Sequence, residues 1–280
     1  MLKIVMDSAG EIPEEWRTEY DVHVIPVNIH FENKMYQQGV DLSNDDFYRL
    51  ADKTGVIPKT SQPTPQQFVE FYKRIAQASD TILSLHVTSK LSGTFNSAVL
   101  AAKELKNKIN IIPYDSGSGS AAMGFMCKEA RQLDKAGATI QAILARLDTI
   151  RKNVNVVLTL DTLEYARRSG RVKALPAALA ALVKIKPVII LKDGALDMRE
   201  KVRTRQRAIN RVLDIIHQQV DDRLVNVAVV HSQSLDAAKQ LMQKVNERFH
   251  VNEMILSELS IGIAANLGPG TIGIIAYAVV

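Results

Sequence analysis

One order recurs along this chain and limits what it can fold into. A short apolar run ends in an acidic or hydroxyl residue, and an amphipathic helical segment follows. Lys3–Met6 ends in Asp7-Ser8, Ile109–Tyr114 in Asp115-Ser116, and Val154–Leu160 in Asp161-Thr162. Thr81–Val87 is a further buried-looking run before a helical segment. Strands covered on both faces read as such continuous apolar runs, and a parallel neighbour is reached only through a crossover, usually a helix. The pattern predicts a parallel α/β layer, in which ligands collect at the carboxyl ends of the strands.

The helix starts are legible. Ser43 with Asp46 forms a capping pair for a helix to about Asp52, and Thr64-Pro65-Gln66-Gln67 supplies a cap, a first-turn proline and a box-closing glutamine. Phe68, Phe71, Tyr72 and Ile75 then share one helical face. Further helices are expected over Gly93–Lys106, Ser120–Lys135 and Thr139–Lys152, with an extended stretch over His23–Phe31. Beyond residue 160 the pattern changes. A short Ala/Leu helix is expected over Leu175–Val183. Pro187–Leu191 and Met198–Val202 read as strands around the turn Asp193-Gly194. Helices Thr204–Val220 and Ser234–Phe249 alternate with strands Val225–Val230, Met254–Leu259 and Ile272–Val280. Asn266-Leu267-Gly268-Pro269-Gly270 reads as a turn-rich loop. Two domains are therefore expected, a parallel α/β domain over 1–160 and a mixed α/β domain over 161–280.

Several function classes find no support. The six histidines form no close metal-ligand pair and Cys127 is the only cysteine, so neither a metal site nor an intrachain disulfide is expected. No Gly-Lys dipeptide exists, and Gly117-Ser118-Gly119 with Gly124 is one spacing off the dinucleotide fingerprint, so no nucleotide cofactor is expected. The apolar run at the N-terminus is too short for a signal peptide, and no stretch is long and apolar enough for a membrane span. A cytoplasmic protein is expected, without stable membrane insertion, although transient contact with a membrane surface is compatible with it. Net charge is +5, yet from Leu163 to Arg211 thirteen Lys or Arg stand against four Asp or Glu. This band suits an acidic partner or a solvated face. It lacks interleaved aromatics, so nucleic acid is not expected as a partner.

Two polar stretches carry the functional signal. Thr60-Ser61-Gln62-Pro63-Thr64-Pro65 and Thr88-Ser89-Lys90-Leu91-Ser92-Gly93-Thr94 each crowd hydroxyls and backbone N–H groups at a helix start. Such groups hold an anion without a charged side chain. Thr60 and Ser92 are the candidate hydroxyls, Gly93 permits close backbone approach, and Ser61, Ser116, Ser118 and Gly268 are expected nearby. A serine hydrolase acting on a lipid or ester through Ser92 is the enzymatic alternative. His86 lies inside a strand, too early to be assumed its base, His231 ends another strand and could approach, and the G-x-S-x-G elbow is missing.

The motifs together resemble the DegV family. They are Asp7-Ser8, T-S-Q-P-x-P at 60–65, S-x-L-S-G-T at 89–94, Tyr114-Asp115-Ser116, Ser169-Gly170-Arg171-Val172, Lys186-Pro187 and Gly268-Pro269-Gly270, in family order along nearly the whole chain. The resemblance implies a two-domain α/β fold with a tunnel between the domains for one long-chain fatty acid. It implies a non-catalytic carrier subunit of a bacterial fatty acid kinase system that serves phospholipid synthesis. A separate kinase subunit would make the acyl phosphate. Thr60 and Ser92 map to the residues that hold the carboxylate. Arg171, the arginine of the G-R motif, maps to head-group presentation or kinase docking, and Arg203, in a similarly basic segment, is a further candidate for that role. The family loop commonly reads H-x-G-P-G, whereas this chain has Asn266. Asn both donates and accepts hydrogen bonds but cannot become cationic, so a head group here would rely on neutral donors.

Overall fold

Local signals and strand pairing together produce two compact units, Met1–Lys152 with Ser260–Gly262, and Asn153–Leu259 with Ile263–Val280. The computed structural model describes residues 1–173, 175 and 185–279. Apart from Leu175, the helix expected over Leu175–Val183 lies outside the described residues.

The first unit runs β1 (Leu2–Asp7), α1 (Glu14–Glu19), β2 (Val22–Ile25), β3 (Asn28–Phe31), β4 (Lys34–Gln37), α2 (Asn44–Thr54), β5 (Lys59–Ser61), α3 (Pro65–Ile75), β6 (Thr81–His86), α4 (Thr94–Glu104), β7 (Asn110–Asp115), α5 (Ala121–Lys135) and α6 (Ile140–Asn153). Its main sheet has the order β2-β1-β6-β7 and every pairing is parallel. Side chains alternate along a strand. One face therefore carries Val5, Asp7, Ile82, Ser84 and His86. The apolar members of that face pack under α3 and α4, against Phe68, Phe71, Tyr72, Ala98 and Ala101. The capping box at Thr64 forms as the sequence predicts: Gln67 N–H donates to Thr64 Oγ1 at 3.1 Å, and Thr64 N–H to Gln67 Oε1 at 2.8 Å.

The expected extended stretch His23–Phe31 divides. β2 joins the parallel sheet, while β3 is the centre of a separate antiparallel sheet of order β4-β3-β5. The break falls at Pro26, which has no N–H for a ladder. Thr60 consequently sits on β5, opposite Ile29 of β3.

The second unit contains β8 (Asn155–Thr159), α7 (Glu164–Ser169), β9 (Val172–Lys173), β10 (Lys186–Lys192), β11 (Ala195–Val202), α8 (Arg205–Val220), β12 (Val225–His231), α9 (Leu235–Arg248), β13 (Val251–Glu258), α10 (Ile261–Leu267) from Ile263 onward, and β14 (Ile272–Ala278). Its sheet has the order β13-β12-β14-β8-β10-β11-β9 and mixes parallel with antiparallel pairs. Val212, Ile216 and Leu241 of α8 and α9 bury against Val227, Val229 and Ile274 of the sheet. β8 pairs antiparallel with both β10 and β14. It therefore belongs here, and the division falls after Lys152, ahead of the expected boundary at 160. Its sequence resembles the parallel strands because it too is covered on both faces. Asn266 and Leu267, expected in a loop, form the last turn of α10.

Candidate functional site

β1, β6 and β7 are parallel neighbours, so the loops that follow them leave the same edge of the sheet. Backbone hydrogen bonds tie these loops together. Thr88 N–H donates to Ser118 O at 2.7 Å, Ser116 N–H to His86 O at 3.0 Å, and Ser120 N–H to Ala9 O at 2.9 Å. Within them, Thr88 O accepts from Leu91 N–H at 3.1 Å and from Ser92 N–H at 3.2 Å. This tight turn delivers Ser92 and Gly93 to the start of α4. Ser92 Oγ accepts from Thr94 N–H at 3.3 Å and lies 2.9 Å from Thr94 Oγ1. The first turn of α4 offers the positive end of a three-turn helix.

The second polar stretch arrives from β5. Ser61 Oγ is 2.7 Å from His30 Nε2, Asn28 Nδ2 donates to Gln62 O at 3.3 Å, and Asn28 and Gln67 exchange amide hydrogen bonds at 3.3 Å. Thr60 is half-buried and partnered. The stretch meets the Ser92 loop directly. A Cβ added to Gly93 would stand 2.9 Å from Gln62 Nε2 and 3.1 Å from its Cδ. Gly93 thus lets the end of the Gln62 side chain approach the backbone closely, and Gln62 joins the two motifs. Ser116 and Ser118, expected beside the site, lie in the loop after β7, both buried. Ser116 Oγ donates to Ser118 O and accepts from Ser118 N–H, each at 3.1 Å.

Two buried acids hold these loops: Glu11, which carried no sequence signal, and Asp7, whose partners the sequence did not show. Glu11 receives the Ser120 hydroxyl, Ala121 N–H and Ser260 N–H, the last at 2.8 Å. Burial pushes its carboxyl up to about 7, against the lowering effect of these donors. Gln38 Oε1 accepts from Gly262 N–H at 2.8 Å, so the returning segment 260–262 is held at two points. Asp7 accepts Ala9 N–H on Oδ1 at 3.0 Å, and Val87 N–H and His86 Nδ1 on Oδ2 at 2.9 and 3.1 Å. The available signal was positional: Asp7 and His86 each end a strand, and the strands are neighbours.

This geometry bears on the hydrolase alternative. His86 Nε2 lies 2.8 Å from Ser84 Oγ, which lies 2.8 Å from Tyr72 OH. Asp7, His86 and Ser84 thus repeat the connectivity of a catalytic triad. All three and Tyr72 are 0% exposed, which leaves no room for a substrate, and both ring nitrogens of His86 are engaged by groups other than Ser92. His231, the other candidate base, has its Nδ1 3.4 Å from Ser234 N–H.

The remaining expected residues belong to the second unit. Ser169 Oγ lies 3.2 Å from Asn266 O and 3.1 Å from Ala166 O. The exposed Arg171 guanidinium turns back to Ser169 O, and Arg203 is exposed in the turn between β11 and α8. Gly268 follows α10, its N–H on Ala264 O at 2.7 Å. Arg205 Nη1 donates to Gly270 O at 2.7 Å and pairs with Asp161 at 3.3 Å, while Lys186 Nζ donates to Asp161 O at 2.8 Å. Partial burial raises the Asp161 carboxyl, but Lys186 and Arg205 outweigh it and hold the group below its ordinary value. Gly270 has φ +77°, and a Cβ there would stand 2.4 Å from Asp161 Cβ. Among the described residues, no three of His, Cys, Asp and Glu gather as a metal ion would require, and no helix is long and apolar enough to cross a membrane.

Comparison with known proteins agrees with the motif pattern. The model of the DegV family, described as uncharacterised proteins, matches residues 1–279. A DegV domain-containing protein of Halalkalibacterium halodurans is 33% identical over 278 residues, covering 99% of this chain and 98% of the relative. Among solved structures, a DegV family protein from Thermus thermophilus described for its fatty acid binding superposes with a TM-score of 0.91 at 30% identity, covering 99% of each chain. DegV of Bacillus subtilis, described as a fatty acid binding protein, superposes at 0.89 with 29% identity and the same coverage. Matched along its length in sequence and in fold, this chain belongs to the DegV family.

Proposed function

We propose that this chain binds one long-chain fatty acid and presents its carboxylate to a separate kinase subunit, which forms the acyl phosphate. The observation that carries the reading is the packing of Gln62 against Gly93. It sets Gln62, two residues beyond Thr60, beside the Ser92–Gly93 turn at the start of α4. In this reading the Thr60 and Ser92 hydroxyls and the first N–H groups of α4 are the donors that suit a carboxylate. Relatives of this fold are described as fatty acid binding proteins. The tail supplies most of the affinity, because each buried CH₂ contributes about 0.8 kcal/mol and a tail of about sixteen carbons roughly 10 kcal/mol before binding costs. The head-group donors fix and desolvate the carboxylate.

In this reading the chain is a carrier and the partner is the catalyst. The exposed Arg171 and Arg203 serve docking, since uncompensated surface charge steers an acidic partner. Native mass spectrometry of the purified protein, with denatured extract beside it, tests the proposal. A co-purified fatty acid in equimolar amount is expected, and absence of lipid together with no uptake of added palmitate would overturn it. Asn266→His tests the departure at that position: kinase-coupled turnover is expected to rise, and equal rates would make the substitution neutral.

A further inference from the structure

The buried chain Asp7–His86–Ser84–Tyr72 is idle in the function proposed above, yet it lies directly beneath the loops that carry it. A carboxyl with 0% exposure is costly unless every oxygen is satisfied. Here both oxygens are: Ala9 N–H on one, Val87 N–H and His86 on the other. Since both Asp7 oxygens already accept backbone N–H groups, His86 Nδ1 is the donor in their bond. Nε2 then accepts from Ser84, whose oxygen accepts from Tyr72. The chain runs one way from Tyr72 on α3 to Asp7 on β1: Tyr72, Ser84 and His86 each donate once along it, and Asp7 only accepts.

Its output is geometric. Val87 is the first residue after β6, Thr88 follows, and Thr88 O holds the N–H of Ser92. On its other side Asp7 holds Ala9, whose carbonyl accepts Ser120 N–H. One carboxylate therefore sets the start of two loops. Through Thr88 N–H on Ser118 O and Ala9 O on Ser120 N–H, it also sets the third. We propose that Asp7, oriented by His86, Ser84 and Tyr72, is the positioning residue for the Ser92–Gly93 head-group donors. This rests on the fatty acid reading, in which those donors meet a carboxylate. Asp7 itself stays out of reach of the ligand.

A merely structural residue would weaken every ligand alike, whereas a positioning residue for head-group donors affects a charged carboxylate far more than a neutral hydroxyl. The test compares palmitic acid with 1-hexadecanol on the full-length protein cleared of co-purified lipid. Asp7→Asn is expected to raise the Kd for palmitate about tenfold or more, the loss typical of a displaced charge-assisted hydrogen bond, and to leave hexadecanol within about twofold. Tyr72→Phe, which keeps the ring and removes only the far end of the chain, should weaken palmitate by roughly twofold to threefold and hexadecanol not at all. Equal losses for acid and alcohol, or no loss for either, would overturn the assignment. If Asp7→Asn fails to fold, Tyr72→Phe and the wild type still decide. The ¹⁵N shifts of the wild-type His86 ring should show a proton on Nδ1, and a proton on Nε2 alone would refute the chain. Wild-type protein that binds hexadecanol as tightly as palmitate would instead overturn the head-group reading itself. Wild type that prefers palmitate, with Asp7→Asn keeping that preference, removes only the role of Asp7.

Discussion

The loop edge of the first unit and the Asp161–Arg205 corner of the second use opposite means to hold a loop in place. In the first, hydroxyls, amides and backbone N–H groups do the work, backed by carboxylates buried out of water. In the second, the Gly270 carbonyl and the Asp161 carboxylate meet Lys186 and Arg205, which remain partly in solvent. Buried polar contacts are individually strong because leaving one partner unsatisfied costs its full desolvation. Surface ion pairs are weak and screened by salt. The first arrangement suits a site that must hold a carboxylate in fixed geometry. The second suits a surface that has to stay soluble and adjustable.

The largest effect expected from this contrast comes from Glu11. Its carboxyl titrates near 4.5 in the unfolded chain and at about 7 when folded. The folded state keeps its proton where the unfolded state has lost it. Stability linked to this group is therefore full below about pH 4.5 and declines as pH rises to about 7, by about 3 kcal/mol. Glu11→Gln should remove this slope. Urea unfolding of both proteins between pH 4.5 and 7.5 measures it, and parallel pH profiles would disprove the assignment.

Gly270→Ala asks the same of the second unit. A methyl group at φ +77° and 2.4 Å from Asp161 Cβ should cost about 2 kcal/mol. Gly93→Ala meets only the mobile end of Gln62 and should cost well under 1 kcal/mol, while lowering lipid occupancy. Thermal melts with lipid quantification separate the two, and similar losses of stability would erase the distinction drawn between them.

Next come the hydroxyls. Thr60→Val and Ser92→Ala should each weaken palmitate binding by about tenfold, or about 1.4 kcal/mol, with little change between low and high salt. Unchanged lipid content in the double variant would remove both from the head-group site. The smallest effect is expected from Lys186→Ala. Its partner Asp161 is 45% exposed on the side chain, so stability should fall by less than about 1 kcal/mol and the loss should shrink in salt.

Much of this was legible in the residues themselves. The Thr64 capping box, the Ser43 cap, the Asp193-Gly194 turn and the apolar runs of β1, β6 and β7 are local patterns. Their interpretation needs only neighbours within a few positions. β8 shows the limit. Its apolar run is indistinguishable from those of the parallel strands, and only pairing with β10 and β14 assigns it to the mixed sheet. Thr60 shows another: three residues are too few for a strand signal, so its place beside Ile29 emerges only when β3 and β5 pair. Asn266 looked like loop because of the glycines and proline after it, but hydrogen bonding carries α10 through Leu267.

The sequence alone determined the family, the α/β class and the two polar motifs at helix starts, because caps, turns and strand periodicity act over a few residues. Tertiary structure alone decided which of those groups meet. Asp7 and His86 stand 79 positions apart, and Glu11 and Ser260 stand 249 apart. The partner of a buried polar group is set by strand order and loop closure, which no local pattern encodes. For that reason the hydroxyls of the proposed clamp and Asp7 itself could be named from the sequence, while the contacts through which Asp7 and Glu11 hold the surrounding loops could not.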